Sequence, residues 1–153
     1  MKNFIIAALI LFVFTGICRA EEPAANNCVL YDLKGKEVRL SDYKGKPMII
    51  CFWTTWCPYC RREIQRLNKV YSEIGLSGIE LIAINVSERE AKVTRFLKSN
   101  PVDFRILLDK DGECAFSYGI IGIPTYLLID REGRVKLEAN SFPKDRYKEL
   151  LLN

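Results

Sequence analysis

The sequence predicts an α/β fold: a central mixed β-sheet flanked by helices. Three observations predict it. Continuous apolar runs, "PMIICFW" at 47–53 and "IELIAINV" at 79–86, mark strands buried on both faces. Segments with apolar residues at helical spacing follow each of them. Antiparallel hairpins read at both ends of the chain, in "CVLYDLKGKEVRL" and in "TYLLIDREGRVKLEA". Alternating strands and helices give a mixed sheet once the hairpins close its edges.

Each element has its own signal. "CVLYDLKGKEVRL" reads as two short strands joined at Lys34-Gly35, an N-terminal hairpin extension. Ser41 to Lys46 reads as a loop before the strand at 47–53. The helix after it carries Ile64, Leu67, Val70, Tyr71 and Ile74 on one face, with Arg61, Arg62, Gln65, Arg66 and Lys69 outward. Gly75 and Gly78 end it. Ser87-Glu88-Arg89-Glu90 has the spacing of a capping box and opens a helix with Val93, Phe96 and Leu97, which stops before Asn100-Pro101. "FRILLD" is a strand, Lys110-Asp111-Gly112 a turn, and Ala115 to Tyr118 a short helical piece. "TYLLID" turns at Glu132-Gly133 into "RVKLEA". Ser141 caps a last helix over Lys144 to Leu152.

The 153 residues suit one domain, and with 49% apolar residues they can bury a core. The net charge of +4 is modest and the two signs are interspersed, which points away from nucleic acid. Histidine is absent. Its absence removes His-ligated metal or haem, a Cys-His pair and a Ser-His-Asp triad. Chemistry must rest on Cys, carboxylates, Lys, Tyr or backbone groups.

The start, "MKNFIIAALILFVFTGICRAEE", has the pattern of a secretory signal peptide: Lys2, an apolar core from Phe4 to Ile17, then Cys18-Arg19-Ala20. Cleavage after Ala20 is expected over a retained anchor, because the core is short of the roughly 20 residues needed to span. Acylation of Cys18 is the weaker alternative, because Ile17 before it is bulky. Residues 1–20 are thus a leader, 21–27 a linker and 28–153 the folded domain. The mature chain keeps Cys28, Cys51, Cys57, Cys60 and Cys114. Export permits disulfides, and the odd number leaves at least one thiol free or paired between chains.

Cys57 and Cys60 form a Cys-x-x-Cys in "FWTTWCPYCRRE". Covalent haem attachment would need His where Arg61 stands, and a zinc site would need a second ligand pair. A dithiol fits. The pair sits between a buried strand and a helix, so Cys57 falls at the helix N-terminus, where free N–H groups and the macrodipole favour an anionic sulfur. Cys60 follows one turn later and more deeply buried. Pro58 fits the first turn because its missing N–H would go unused there. A purely structural disulfide is the bland alternative.

"FWTTWCPYCRRE" with "GIPTYLLID" far downstream resembles the TlpA/ResA-like branch of the thioredoxin superfamily. The likeness extends to "DLKGKEVRLSDYKGKP" and "LLDKDG", and runs from about Cys28 to Leu152. It implies a thioredoxin-like fold and an exported thiol-disulfide oxidoreductase, acting as a reductase in the manner of cytochrome c maturation. It implies Cys57 as attacking and Cys60 as resolving cysteine, the two forming the redox disulfide. It implies Trp56, Pro58 and Tyr59 as substrate-facing residues, and Pro124 as a cis-proline that exposes the backbone of Ile123 to an extended substrate. It implies Glu63 as a functional carboxylate beside a buried thiol; from the residues alone a carboxylate complementing the helix dipole reads equally well.

The resemblance implies no cofactor beyond the Cys57–Cys60 disulfide. It implies as partners cysteine-containing exported proteins, such as apocytochrome c or copper-site assembly proteins, and a membrane thiol relay as electron donor. The chain would act as a periplasmic or otherwise extracytoplasmic monomer. Two departures stand out. Cys51 occupies a position where the family has Asp or Asn, which shifts proton acceptance to Glu63 or water. Pro58-Tyr59 is similar to the glutaredoxin dipeptide; glutaredoxin potentials lie roughly 40–70 mV above thioredoxin's, so an intermediate potential is expected. Cys28 and Cys114 are expected to be buried singly, a disulfide tying the hairpin to the body being the alternative. Two other functions compete: a peroxiredoxin-like peroxidase, with Thr54 three residues before Cys57 but Ile50 where a Pro is expected, and a non-catalytic binding module.

Overall fold

The computed structural model describes residues 28–152. The expected leader at 1–20 and the expected linker at 21–27 lie outside the described residues. One sheet of seven strands runs in the order β2-β1-β5-β4-β3-β6-β7. Its strands are β1 (Val29–Asp32), β2 (Glu37–Arg39), β3 (Met48–Trp53), β4 (Glu80–Val86), β5 (Arg105–Asp109), β6 (Thr125–Ile129) and β7 (Val135–Ala139). The helices are α1 (Pro58–Leu76), α2 (Glu90–Ser99), α3 (Glu113–Ser117) and α4 (Tyr147–Leu152). β3, β4 and β5 pair in parallel, while β6, β7, β1 and β2 join antiparallel. This is the mixed sheet of a thioredoxin-like fold, with the expected N-terminal hairpin β1–β2.

β3 is central and wholly buried. Its side chains alternate between two cores, as the twofold repeat of a strand requires. Met48, Ile50 and Phe52 enter the core shared with α3, and Ile49, Cys51 and Trp53 the core under α1, α2 and α4. Ile64, Leu67 and Ile74 of α1 are fully buried in the second core together with Cys57 and Cys60. The sheet therefore presents Cys51 and the dithiol to the same layer.

Four local expectations give way. Leu40–Tyr43 forms a 3-10 turn rather than plain loop, because Asp42 accepts the Arg39 N–H at 3.2 Å. Ser87 and Glu90 form no capping box on α2, whose N-cap is Arg89 without a side-chain bond. Ser87 adopts φ 55° and turns Glu88 inward instead. α3 starts at Glu113, because the buried Asp109 accepts the N–H groups of Cys114 at 3.1 Å and Ala115 at 2.8 Å. α4 starts at Tyr147, too far along for Ser141 to cap. The Phe142 N–H is held by Glu63 and its ring packs on Tyr126 and Tyr147, which delays the helix.

The fifth correction is covalent. Cys28 and Cys114 are not buried singly but form a disulfide, with Cα atoms 5.2 Å apart. β1 pairs with β5, and α3 follows β5 directly, so the start of the hairpin lies over α3. That pairing across 86 positions is a property of the folded sheet, not of local spacing.

Candidate active site

The chain leaves the centre of the sheet at Trp53, crosses Thr54-Thr55-Trp56 and enters α1 at Cys57. Cys57 is the N-cap, extended at φ −80° and ψ 115°, and Pro58 takes the first helical position. A cap supplies an acceptor to the free N–H groups of the first turn. Here that acceptor is sulfur: the Cys60 N–H donates to Cys57 Sγ at 3.2 Å. The sulfur thus sits at the open N-terminus of α1. Cys57 keeps 5% of its surface exposed and Cys60 none. Both are free thiols, as is buried Cys51.

Burial, followed by the hydrogen bond with Cys57, pushes the Cys60 thiol up to about 12. Burial likewise pushes the Cys51 thiol up. Iodoacetamide at about pH 8 should therefore label Cys57 and spare Cys60 and Cys51, as read by peptide mass spectrometry. Labelling of Cys60 should appear only toward about 12. The native Cys60 value lies above the ordinary 9.0, so its contribution to stability is complete below 9.0 and is lost as pH rises toward about 12.

The Ile123–Pro124 bond is cis. Ile123 faces the dithiol: the Cys57 thiol donates to its carbonyl at 3.9 Å. Thr125 Oγ1 donates to Gly122 O at 2.7 Å, and Asn140 Nδ2 to Pro124 O at 3.3 Å, which hold this segment in place. Trp56 and Tyr59 stand 60% and 67% exposed on the rim, with Arg62 4.5 Å from the Tyr59 ring centre. Cys57, Cys60, Ile123 and Pro124 thus come together, with Trp56, Pro58 and Tyr59 around the opening.

Glu63 is elsewhere on the buried side. Its Oε2 accepts the Tyr126 hydroxyl at 2.9 Å and the Phe142 N–H at 3.2 Å, and its Oε1 accepts Arg66 Nη1 at 2.8 Å. Tyr126 is the cross-strand neighbour of Cys51 in the β3–β6 pairing, so Glu63 meets the thiol layer through Tyr126. A cleft of about 510 Å³ reaches Glu63 from outside, between α1 and residues 141–144. Glu63→Ala would strip the acceptor from the Tyr126 hydroxyl and the Phe142 N–H, besides the more exposed Arg66, and should cost about 2–4 kcal/mol in urea unfolding. Glu63→Gln keeps a carbonyl for the Tyr126 hydroxyl and the Phe142 N–H and should cost under about 1 kcal/mol.

The sequence reading missed Tyr126, Thr55, Arg61 and Glu88 beside the site. The available signal for Glu88 was topological. β3 and β4 are parallel neighbours, so the residues just past their ends meet on one edge of the sheet. Among the described residues no group of three His, Cys, Asp or Glu side chains could hold a metal ion.

This geometry has relatives. The family model for AhpC/TSA matches residues 20–138. The chain belongs to the AhpC/TSA family. Within this thioredoxin-superfamily group it is similar to "Thiol-disulfide oxidoreductase ResA" of Bacillus thuringiensis subsp. konkukian, 40% identical over 111 residues, covering 72% of this chain and 64% of the relative. ResA of Halalkalibacterium halodurans is 38% identical over 124 residues, covering 81% of this chain and 70% of the relative. The chain thus spans 64% of the length of the Bacillus relative. Among solved structures, StoA from Bacillus subtilis superposes with a TM-score of 0.69 at 28% identity, covering 82% of this chain and 98% of its own. The thioredoxin domain of a Bacteroides vulgatus thiol-disulfide oxidoreductase superposes at 0.73 and 28% identity, covering 84% of this chain and 94% of its own. No helix among the described residues of this AhpC/TSA member is long and apolar enough to cross a membrane.

Proposed function

We propose that the chain is an extracytoplasmic thiol-disulfide oxidoreductase that reduces disulfides in exported proteins. One observation carries this reading: a nearly buried Cys57 sulfur capped by the Cys60 N–H at 3.2 Å and facing the Ile123 carbonyl at 3.9 Å. The outer thiolate attacks one sulfur of a substrate disulfide. That bond breaks, the departing substrate thiolate takes a proton, and Cys57 is left in a mixed disulfide. Cys60 then loses its proton and attacks the Cys57 sulfur, releasing the second substrate thiol. Two electrons pass to the substrate and a Cys57–Cys60 disulfide remains. An extended substrate segment aligns on the Ile123 backbone, with Trp56, Pro58 and Tyr59 framing it. Glu63, acting through Tyr126, sets the electrostatics of the buried side of the pair.

The relatives named ResA support this activity, and the signal-peptide pattern of residues 1–20 supports an exported site of action. Apocytochrome c and copper-site assembly proteins carry the kind of closely spaced cysteine pair such a reductase would open. A membrane dithiol relay would return electrons to the Cys57–Cys60 disulfide.

The test mixes the reduced full chain, freed of small thiols, with a peptide holding a disulfide across a Cys-x-x-Cys. The expected result is one peptide disulfide opened per chain oxidised, with Cys57 joined to Cys60 in the product. An intact peptide together with rapid consumption of hydrogen peroxide would favour a peroxidase and overturn the proposal.

A further inference from the structure

Glu88 is a buried carboxylate that the exchange chemistry does not use. It lies just beyond β4, its side chain 4% exposed. Ser87, in the left-handed region at φ 55° with its N–H on Asp109 O at 2.8 Å, directs it inward. Its Oε2 accepts the Thr55 N–H at 2.6 Å and Asn85 Nδ2 at 2.8 Å. Its Oε1 accepts Thr55 Oγ1 at 2.7 Å and lies 2.7 Å from Lys92 Nζ. Burial opposes the charge, but Lys92, Thr55 and Asn85 outweigh it and hold the carboxyl below its ordinary range. The remaining polar group of Thr55, its carbonyl, accepts Arg61 Nε at 2.6 Å.

Every polar group of Thr55 is therefore held, two of the three by Glu88. Thr55 precedes Trp56 and Cys57 in the segment joining β3 to α1. That segment has no regular backbone ladder to fix it, so its pose depends on these side-chain bonds. A carboxylate suits the task. It can accept from four donors at once, and its bonds to N–H and hydroxyl groups are charge-assisted and short.

We propose that Glu88 is a positioning residue: through Thr55 it fixes Trp56 and the Cys57 sulfur in the pose that meets a substrate disulfide. The inference rests on the exchange reading above. It separates two reactions of the same sulfur. In-line attack on a disulfide within a peptide needs the sulfur, the rim and the Ile123 backbone in register, and small misplacements are costly. Alkylation by iodoacetamide needs only an accessible thiolate.

The experiment compares wild type, Glu88→Ala and Glu88→Gln as full chains, with folding checked by near-UV circular dichroism. For each, two rates are measured: exchange with the disulfide peptide and alkylation of Cys57. Glu88→Ala is expected to slow exchange by about tenfold or more while alkylation changes less than about threefold. Glu88→Gln, whose carbonyl can still take the Thr55 N–H and Asn85, should restore exchange to within about threefold of wild type. If Glu88→Ala does not fold, Thr55→Val decides: it removes the hydroxyl bond alone and should slow exchange by about threefold or more with alkylation unchanged. Wild-type exchange in the folded Glu88→Ala, or in Thr55→Val when that variant decides, overturns the proposal. So does a fall of both rates together, which marks a general structural role. A wild-type chain that does not open the peptide sinks the exchange reading instead, and the two failures are told apart by that control.

Discussion

Cys57→Ser should reduce disulfide exchange to the uncatalysed background, a loss of at least about 10³-fold, with folding intact. A hydroxyl fits the cap as well as a thiol does, so the Cys60 N–H keeps an acceptor. Only the nucleophile is gone. Cys60→Ser should behave differently. Attack by Cys57 still occurs, but no resolving thiol follows, and a mixed disulfide with the peptide accumulates as a mass adduct. Cys60 is placed for resolution one helical turn from Cys57, with its N–H on the Cys57 sulfur, whereas Cys51 lies on β3. Turnover by Cys60→Ser without an adduct would contradict the assigned order of the two thiols.

The second large effect is on stability. Replacing Cys28 and Cys114 together by Ser should lower unfolding stability by about 2–5 kcal/mol. The bond closes a loop with a sequence separation of 86, which restricts the unfolded chain strongly. It also ties the lead into β1 to α3, and α3 leads on to the Ile123–Pro124 segment. The melting temperature should fall by about 10 °C, measured at a fixed protein concentration. Exchange by Cys57 should persist at temperatures where the variant is folded. An unchanged melting temperature would mean that β1 and α3 are held as firmly without the bond.

The parts of the fold legible in the sequence are those set by short-range pattern. β3 and β4 announce themselves as unbroken apolar runs, and α1 by its apolar residues at helical spacing. Cys57 and Cys60 were legible because the dithiol is a local motif at a strand-to-helix junction. Ile123 and Pro124 were legible only through resemblance, since nothing in the sequence around Gly122 says that it packs on a cysteine far upstream. The Cys28–Cys114 bond was not legible because it depends on β1 pairing with β5. The capping-box expectation failed for a physical reason. Ser87-x-x-Glu90 before an apolar run has the spacing of a capping box, but Ser87 takes φ 55° with its N–H on Asp109, and Arg89 becomes the N-cap. Glu88 between them turns inward to Thr55 and Asn85. Nothing in the sequence marks Tyr126; it becomes part of the site because β6 lies beside β3, which sets it opposite Cys51 with its hydroxyl on Glu63.

The most direct measurement equilibrates the mature chain in graded thiol-disulfide buffers and reads every cysteine by alkylation and mass spectrometry. The account predicts a single two-electron transition in which Cys57 and Cys60 convert together, Cys51 stays a thiol and Cys28–Cys114 stays bonded. For a reductase the midpoint should fall near or below about −270 mV. A midpoint well above about −200 mV would contradict the reducing direction. Absence of a Cys57–Cys60 disulfide at any buffer setting would contradict the redox site itself.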